Sequence, residues 1–592
     1  MSDTRVLDAL LESGVARGEL VALALDPGIG LAVATATRSW AVASADPCGA
    51  VALVERGIGP RWVLWSNDTA VTLARAGVRV ARAFDLACAH RILEGTWAAD
   101  PARVWAAANG LDADTLPSVA PPDLFSSGDD DDDADEPVRR DGHLRPEWAG
   151  GAWRASPERL RRWSALAQHA AAAQIAALGA IADRPAALAT ARAESAVELL
   201  CAEMTVDGLP MDRVVAEGIV AGFVGPRPRD EAAAAEERAR RDAAVLRHAT
   251  PGFEVDLRSS TQVRAMLRRL GIDVVDTRAA RLRELEDTHP IVRELLAWRR
   301  AERVATTYGY AWLDEHLGAD GRFRGSWSGS DGAAGRMTAS GGLHNMPAEF
   351  RPAVVAEPGH VFVRADLGQV EPRVLAAVSH DAVLARATLQ GDLYAAVAAE
   401  LGVDRATAKV AVLGAMYGQT TGHGADALRR MRRAYPVAMD YLDRAEHAAA
   451  AGRDLRTYGG RLVRFGPPPP RDDGTPEPRA SVAARGRYGR NAVVQGAAAE
   501  LFKRWAVTLR ARGADLGAQI VLCLHDELLV HTPLEQAAPV ASLLDSCLQD
   551  AAERWSPGTP TRFVADVSVV ARWSDAKDAS APPDRRPATG AP

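Results

Sequence analysis

At 592 residues the chain is too long for one hydrophobic core, and its length fits roughly three to five domains. With 47% hydrophobic and 25% charged residues, its composition is that of a folded globular protein and excludes a largely disordered one. The net charge of −7 comes from residues 129–136, which hold seven acids and no base; without them 70 acids meet 70 bases, so a nucleic-acid partner is not excluded.

In chain order, residues 20–25, 30–37, 39–44 and 61–66 read as strands of an α/β region, with helical spacing after Asp68 and over 87–93. No basic head and apolar core opens the chain, so no signal peptide is expected. Residues 117–151 lose all periodicity and read as a solvated acidic loop. Alanine-rich helices fill 157–201; the uncharged run 164–182 contains Gln168, His169 and Gln174, too polar to cross a membrane. More helices follow over 214–312, broken at 225–228 and 250–252. Strands return after Gly318, most clearly at 361–365, and helices fill 374–450. A Pro/Gly/Arg loop is expected at 466–480, a last helix at 493–511, an apolar strand at 519–524 and a disordered tail over 576–592. Five scattered cysteines with no Cys-x-x-Cys pair suggest neither zinc nor a redox centre and point to a reducing cytoplasm.

Three patterns carry chemistry. In Val361-Phe-Val-Arg-Ala-Asp366-Leu-Gly-Gln369-Val-Glu371-Pro-Arg373, an apolar strand ends on a carboxylate and Glu371-Pro372 opens a helix. An acid beside a turn carbonyl suits Mg²⁺, although such an aspartate is equally a turn or cap residue. Residues 519–531 read as two buried strands whose turn holds Asp526 and Glu527; acids in apolar surroundings need a compensating cation or donor. Arg405, Lys409, Leu413 and Tyr417 recur every fourth residue and so form one helical stripe about 18 Å long, near the span of a nucleoside triphosphate. An amphipathic helix with solvated cations would look the same. Lys409, however, is one of only three lysines among 70 basic residues, and lysine differs from arginine in being a compact point charge.

In order and spacing these patterns resemble motifs A, B and C of family A DNA polymerases. Gly335-Arg336-Met-Thr and Leu343-His344-Asn345-Met-Pro347 resemble the stretch ahead of motif A, and Arg487-x3-Asn491-x3-Gln495-Gly496 the helix between motifs B and C. His289-Pro290, Arg299-Arg300 and Thr307-Tyr308 resemble the thumb-to-palm helix, so the resemblance spans about 195–575. It implies an α+β multidomain fold: a right hand behind an α/β ribonuclease-H-like domain. The expected parts are a 3′–5′ exonuclease-like domain at 1–190 with the acidic loop 117–151, and thumb and start of palm at 191–320. Palm with motif A follows at 321–380, fingers with motif B at 381–485, and palm with motif C at 486–575. No 5′-nuclease region is expected ahead of them.

The resemblance implies template-directed extension of a primer by dNTPs in DNA replication or repair, with two Mg²⁺ ions (Mn²⁺ as a substitute) as cofactor. Metal ligands would be Asp366, Asp526 and the carbonyl of Leu367, with Glu527 beside them and Lys409 placed to protonate the leaving pyrophosphate. Arg405, Lys409, Leu413, Tyr417, Glu371, Gln369 and Tyr394 would meet the dNTP, with Glu371 disfavouring a 2′-hydroxyl. Arg336, Asn345, Arg487, Asn491, Gln495 and His525 would follow primer-template DNA. A cytoplasmic monomer with no membrane partner is expected. Leu413 replaces the family's aromatic residue, Tyr394 its histidine, Leu367-Gly368 its Tyr-Ser and His344 its glutamine; none of these is a metal-binding side chain. In the N-terminal region, 61–68 and 77–85 resemble the exonuclease fold's middle strands. Asp26-Pro-Gly28 lacks the second acid of the family's Asp-x-Glu, and no acid lies between Glu158 and Asp183, so that domain reads as degenerate. The rival readings are a single-subunit RNA polymerase and a non-catalytic DNA-binding scaffold.

Overall fold

The computed structural model describes residues 4–118, 135–250, 252, 254–330, 334–418, 424–466 and 477–576. Most of the acidic run and nearly all of the tail expected at 576–592 lie outside the described residues. The chain divides into two compact units, one comprising Met1–Asp207, Ser326–Thr338 and Gly359–Val570, the other Gly208–Gly325, Ala339–Pro358 and Ala571–Pro592.

The first unit contains the two large sheets of the described residues. The N-terminal sheet has the order β3-β2-β1-β4-β5, with β1 (Leu20–Asp26), β2 (Gly30–Ala34), β3 (Ser39–Ala43), β4 (Arg61–Leu64) and β5 (Ala83–Asp85). β1–β3 form antiparallel pairs, and β4 and β5 add parallel to β1. β2 stops three residues short of its expected end because Thr35 and Arg38 close a turn. Side chains alternate across this sheet. Val21, Leu23 and Leu25 fill one core, while Ala22, Ala24, Ala32 and Ala34 face the other. The alanine face lets helix α1 (Pro157–Gly179) lie close through Ala167, Ala170 and Ala171, and Trp163 stacks on Trp65 at 4.5 Å. Within the stretch expected to be a solvated loop, residues 135–151 pack against the domain instead. Leu144 and Trp148 enter this core, and Asp135 and Glu136 pair with Arg159 and Arg162 of α1.

Helix α2 (Ala187–Asp207) brings Glu194 to a buried cation pair: Arg461, and Lys503 with Nζ at 2.6 Å. Burial pushes the Glu194 carboxyl up, but Arg461 and then Lys503 outweigh it and hold the group below the usual carboxylate range.

The second sheet has the order β7-β8-β6-β9, all antiparallel: β6 (His360–Leu367), β7 (Gln519–Leu524), β8 (Glu527–Pro533) and β9 (Ala565–Val570). Around it lie α3 (Val370–Ser379), α4 (Leu393–Leu401), α5 (Arg405–Tyr417), α6 (Pro436–Ala450), α7 (Arg479–Gly513) and α8 (Ala537–Trp555). The helix expected at 493–511 starts at Arg479 and runs for 35 residues, and α8 follows it, so it is not the last. Gly486 and Gly489 make the first half of α7 look like loop. Their place is a close helix crossing: a Cβ on Gly489 would sit 2.2 Å from Ala449 Cβ of α6.

The second unit is mainly helical, with Arg213–Val224, Glu231–Leu246, Ser260–Arg269 and Pro290–Thr307 its longest helices. Leu267, Val292 and Leu295 are fully buried in its apolar cluster, and Tyr308, Trp312, Phe323 and Phe350 form an aromatic one.

Glu194→Ala removes the carboxylate between two buried cations and is expected to cost about 3–5 kcal/mol. Asp550→Ala, which removes the exposed partner of Arg512, should cost under about 1 kcal/mol. Urea unfolding followed by tryptophan fluorescence distinguishes the two.

Candidate active site

β6 is buried along most of its length and ends in a charged rung. The antiparallel register sets Asp366 opposite Glu527 on β8 and Asp566 on β9, and directly opposed residues share a sheet face. The β7–β8 turn consists of His525 and Asp526, with His525 in the left-handed region at φ 42°. The Leu367 N–H donates to the Asp526 carbonyl at 2.8 Å, which ties that turn to the end of β6.

Arg364 lies one rung below on the same face and is 7% exposed. Its Nη2 donates to Asp366 Oδ2 at 2.6 Å and Glu527 Oε2 at 3.0 Å, and its Nη1 to Asp566 Oδ2 at 3.4 Å. Sequence reasoning assigned no role to Arg364 or Asp566. The available signal was a lone charge inside the apolar run 361–365. Burial, then the charge of Asp526, pushes the Asp366 carboxyl up to about 6, and burial raises Asp526 as well. Half-buried carboxylates that resist ionisation together fit a site for divalent cations, which prefer oxygen ligands.

A cleft of about 270 Å³ opens beside Asp526. Gln369, Glu371, Tyr394, Leu413, Tyr417, Arg336, Gln495 and His525 line it together with Asp526. Tyr417 donates to Glu371 Oε2 at 3.0 Å, and Arg336 Nη2 lies 3.4 Å from the other oxygen, so Glu371 is held from two sides. Gln369 has left-handed backbone (φ 55°) and is locked by its side chain: Nε2 donates to Asp392, and Oε1 accepts from Leu393 N–H, both at 2.8 Å. A non-glycine residue in that conformation is strained and persists only where its surroundings enforce it. Arg373 adds to this support. It is fully buried and donates to the carbonyls of Gly368, Thr388, Gly391 and Arg562.

Helix α5 is capped at both ends, with the Asp404 side chain accepting from Thr407 N–H and Gly418 ending the helix in a left-handed conformation. Arg405 Nε donates to Asp392 Oδ2 at 2.5 Å and stands over the Tyr394 ring. Lys409 is exposed and has no ion pair among the described residues. On α7, Gln495 reaches the cleft, Asn491 keeps a buried Oδ1 with no hydrogen-bond partner among the described residues, and Arg487 is exposed. Asn345 belongs to the second unit, where its carbonyl accepts from Tyr308 and Arg303.

Three acids of the N-terminal region, Asp26, Asp68 and Asp85, have protein partners of their own. Asp26 accepts from Gly28 N–H at 2.9 Å and lies 3.9 Å from Arg154, and Asp68 accepts from Ser66. Asp85 is buried as the cap over Cys88 N–H; burial and then Glu198 push its carboxyl up.

The profile of DNA polymerase family A matches residues 230–575. DNA polymerase I of Chloroflexus aurantiacus is 33% identical over 297 residues, covering 44% of this chain and 30% of that protein. The thermostable DNA polymerase I of Thermus aquaticus is 28% identical over 381 residues, covering 58% of this chain and 44% of that protein. The chain thus matches less than half the length of these curated relatives. The POL domain of Pol1 from M. smegmatis, solved in complex with DNA primer-template and dNTP, shares the fold with a TM-score of 0.68 at 20% identity, over 96% of this chain and 98% of that one.

Because the Asp366 carboxyl is raised to about 6 from an unfolded value of about 3.9, its ionisation opposes folding. The stability associated with the protonated form is fully present below about pH 3.9 and is lost as pH rises through about 6. Asp366→Asn, assayed without divalent ions, should therefore melt higher than the parent protein at pH 7, and the gap should close towards pH 4.

Proposed function

Since the chain belongs to DNA polymerase family A, we propose that it extends a DNA primer on a DNA template with deoxynucleoside triphosphates. One observation carries this reading: Asp526, in the turn beside the acidic rung of β6 and β8, lines a cleft whose wall also includes Glu371 of α3 and Tyr417, the last residue of the helix that begins at Arg405 and carries Lys409. We assign the right-hand parts to the boundaries given above, with 1–190 as the exonuclease-like domain, 191–320 as thumb and start of palm, 321–380 and 486–575 as palm and 381–485 as fingers.

Asp366, Asp526 and the Leu367 carbonyl would hold two Mg²⁺ ions, with Glu527 at their edge. When bound, such ions activate the primer 3′-oxygen and neutralise the leaving pyrophosphate. Lys409, with no competing carboxylate among the described residues, would bind the triphosphate and hold the proton given to the leaving group. Arg405 would reach the same phosphates. Glu371, braced by Tyr417 and Arg336, would fill the space beneath the sugar where a 2′-hydroxyl would project, which favours DNA over RNA synthesis. Leu413 and Tyr394 would contact sugar and phosphate less specifically than an aromatic ring and an imidazole. Arg336, Asn491, Gln495 and His525, with Arg487 and Asn345, would follow the duplex. A cytoplasmic monomer acting in replication or repair fits this reading; among the described residues no helix is long and apolar enough to cross a membrane.

Asp526→Asn is expected to lower single-nucleotide primer extension by at least about 10³-fold while changing primer-template affinity less than about threefold, because DNA affinity rests mainly on phosphate contacts. Extension near the parental rate would overturn the metal assignment, and extension with NTPs in preference to dNTPs would favour the RNA polymerase reading. With Asp26 facing Arg154 and Asp85 committed to a helix cap, no 3′–5′ shortening of a mismatched primer is expected in Mg²⁺ or Mn²⁺ without nucleotides. Shortening that Asp26→Ala abolishes and Asp366→Asn spares would contradict this.

A further inference from the structure

Arg364 differs from the other cations near the cleft. Arg405 reaches outward from an exposed helix end, whereas Arg364 projects from the middle of a buried strand and is 7% exposed. Its neighbours across the ladder, Leu529 and Ser568, carry no charge. Among the described residues its guanidinium pairs only with Asp366, Glu527 and Asp566. A guanidinium stays charged at every working pH and presents its donors as a planar fork, so this cation cannot leave the acidic rung by losing a proton.

We propose that Arg364 is a positioning residue for the metal-binding carboxylates, a tethered counter-cation that orients Asp366 and Glu527 and competes with divalent ions for their charge. The inference rests on the two-ion reading of the site. Geometry supports both halves of it. Arg364 engages Asp366 through Oδ2 and Glu527 through Oε2, so one oxygen of each acid is committed and the carboxylate planes are fixed. Four acids (Asp366, Asp526, Glu527 and Asp566) surround the site, and a fixed positive charge within hydrogen-bond distance of three of them lowers the field felt by an incoming cation. Arg364 touches no reacting atom and acts only through the acids.

The test is Mn²⁺ binding to the full-length, DNA-free protein, read from the electron paramagnetic resonance signal of free Mn²⁺. Arg364→Gln, which keeps hydrogen-bonding capacity but loses the charge, should bind Mn²⁺ about tenfold more tightly than the parent. Arg364→Lys, which keeps the charge, should stay within about threefold. Asp526→Asn should weaken binding in every background, which identifies the site being measured. Equal or weaker Mn²⁺ binding by Arg364→Gln, with Asp526→Asn still lowering affinity, would overturn the role of Arg364 alone. Binding indifferent to Asp526→Asn would overturn the metal reading and this inference with it. If Arg364→Gln does not fold, Arg364→Met takes its place, and the same inequality against Arg364→Lys decides the matter.

Discussion

Like charges brought together out of water repel one another, and the molecule is organised around doing this at one place. The register of β6 with β8 and β9 puts Asp366, Glu527 and Asp566 on one rung, and the β7–β8 turn adds Asp526. A slip of one residue in either pairing would turn these side chains to opposite faces. The register is secured by strands that are apolar below the rung: Phe362, Val363, Ala365, Leu528, Leu529 and Val530 are all fully buried. Apolar burial thus supplies the free energy that holds the acids together, and the raised Asp366 carboxyl is the trace of the opposing term.

The buried cations show how the fold meets the same problem elsewhere. Arg373 is satisfied by backbone carbonyls at the end of β6, and Arg490 joins α7 to Asp443 and Glu446 of α6 and to the Ala415 carbonyl of α5. Lys503 is sealed against Glu194. The scarcity of lysine therefore has two meanings within one chain. At 503 a small ammonium fits a closed interior where a guanidinium fork would need more acceptors, and at 409 it stands exposed and unpaired among the described residues.

Much of the fold could be read locally because local chemistry dictates it. β6, the β7–β8 hairpin and α5 each carry their own signals: apolar runs, a turn of polar residues, and a helix bounded by Asp404 and Gly418. What could not be read depends on partners distant in sequence. Gly486 and Gly489 signal a break until Glu446 and Ala449 are known to pack against them. The loop at 137–151 has no periodicity, yet Trp148 has a place in a core built from β1, β2 and α1. Asp566 is unremarkable in sequence and becomes part of the acidic rung only through a pairing 200 residues long in contour. Asp366, Asp526 and Glu527 could be found one at a time, whereas Arg364 shows in sequence only as a lone charge in an apolar run and becomes the counter-ion shared by Asp366 and Glu527 through the strand pairing.

The cleft wall shows a graded use of interaction strength. Asp392 accepts from Gln369 through one oxygen and from Arg405 through the other. The first bond belongs to a half-buried network that holds Gln369 in a strained backbone conformation at the start of α3, and losing it would free the strand-to-helix turn that follows Asp366. The second is an exposed ion pair, with the Arg405 side chain 57% and Asp392 38% accessible, so water and salt screen it and it contributes little to stability. A triphosphate carries more charge than one carboxylate and offers several oxygens to a guanidinium fork, so it can take Arg405 from Asp392 at small cost while Gln369 stays in place. In the proposed reaction, nucleotide entry would then rearrange the cheap contact and spare the structural one, and Asp392, still accepting from Gln369 and from the Tyr394 N–H, would keep the turn beside the acidic rung unchanged.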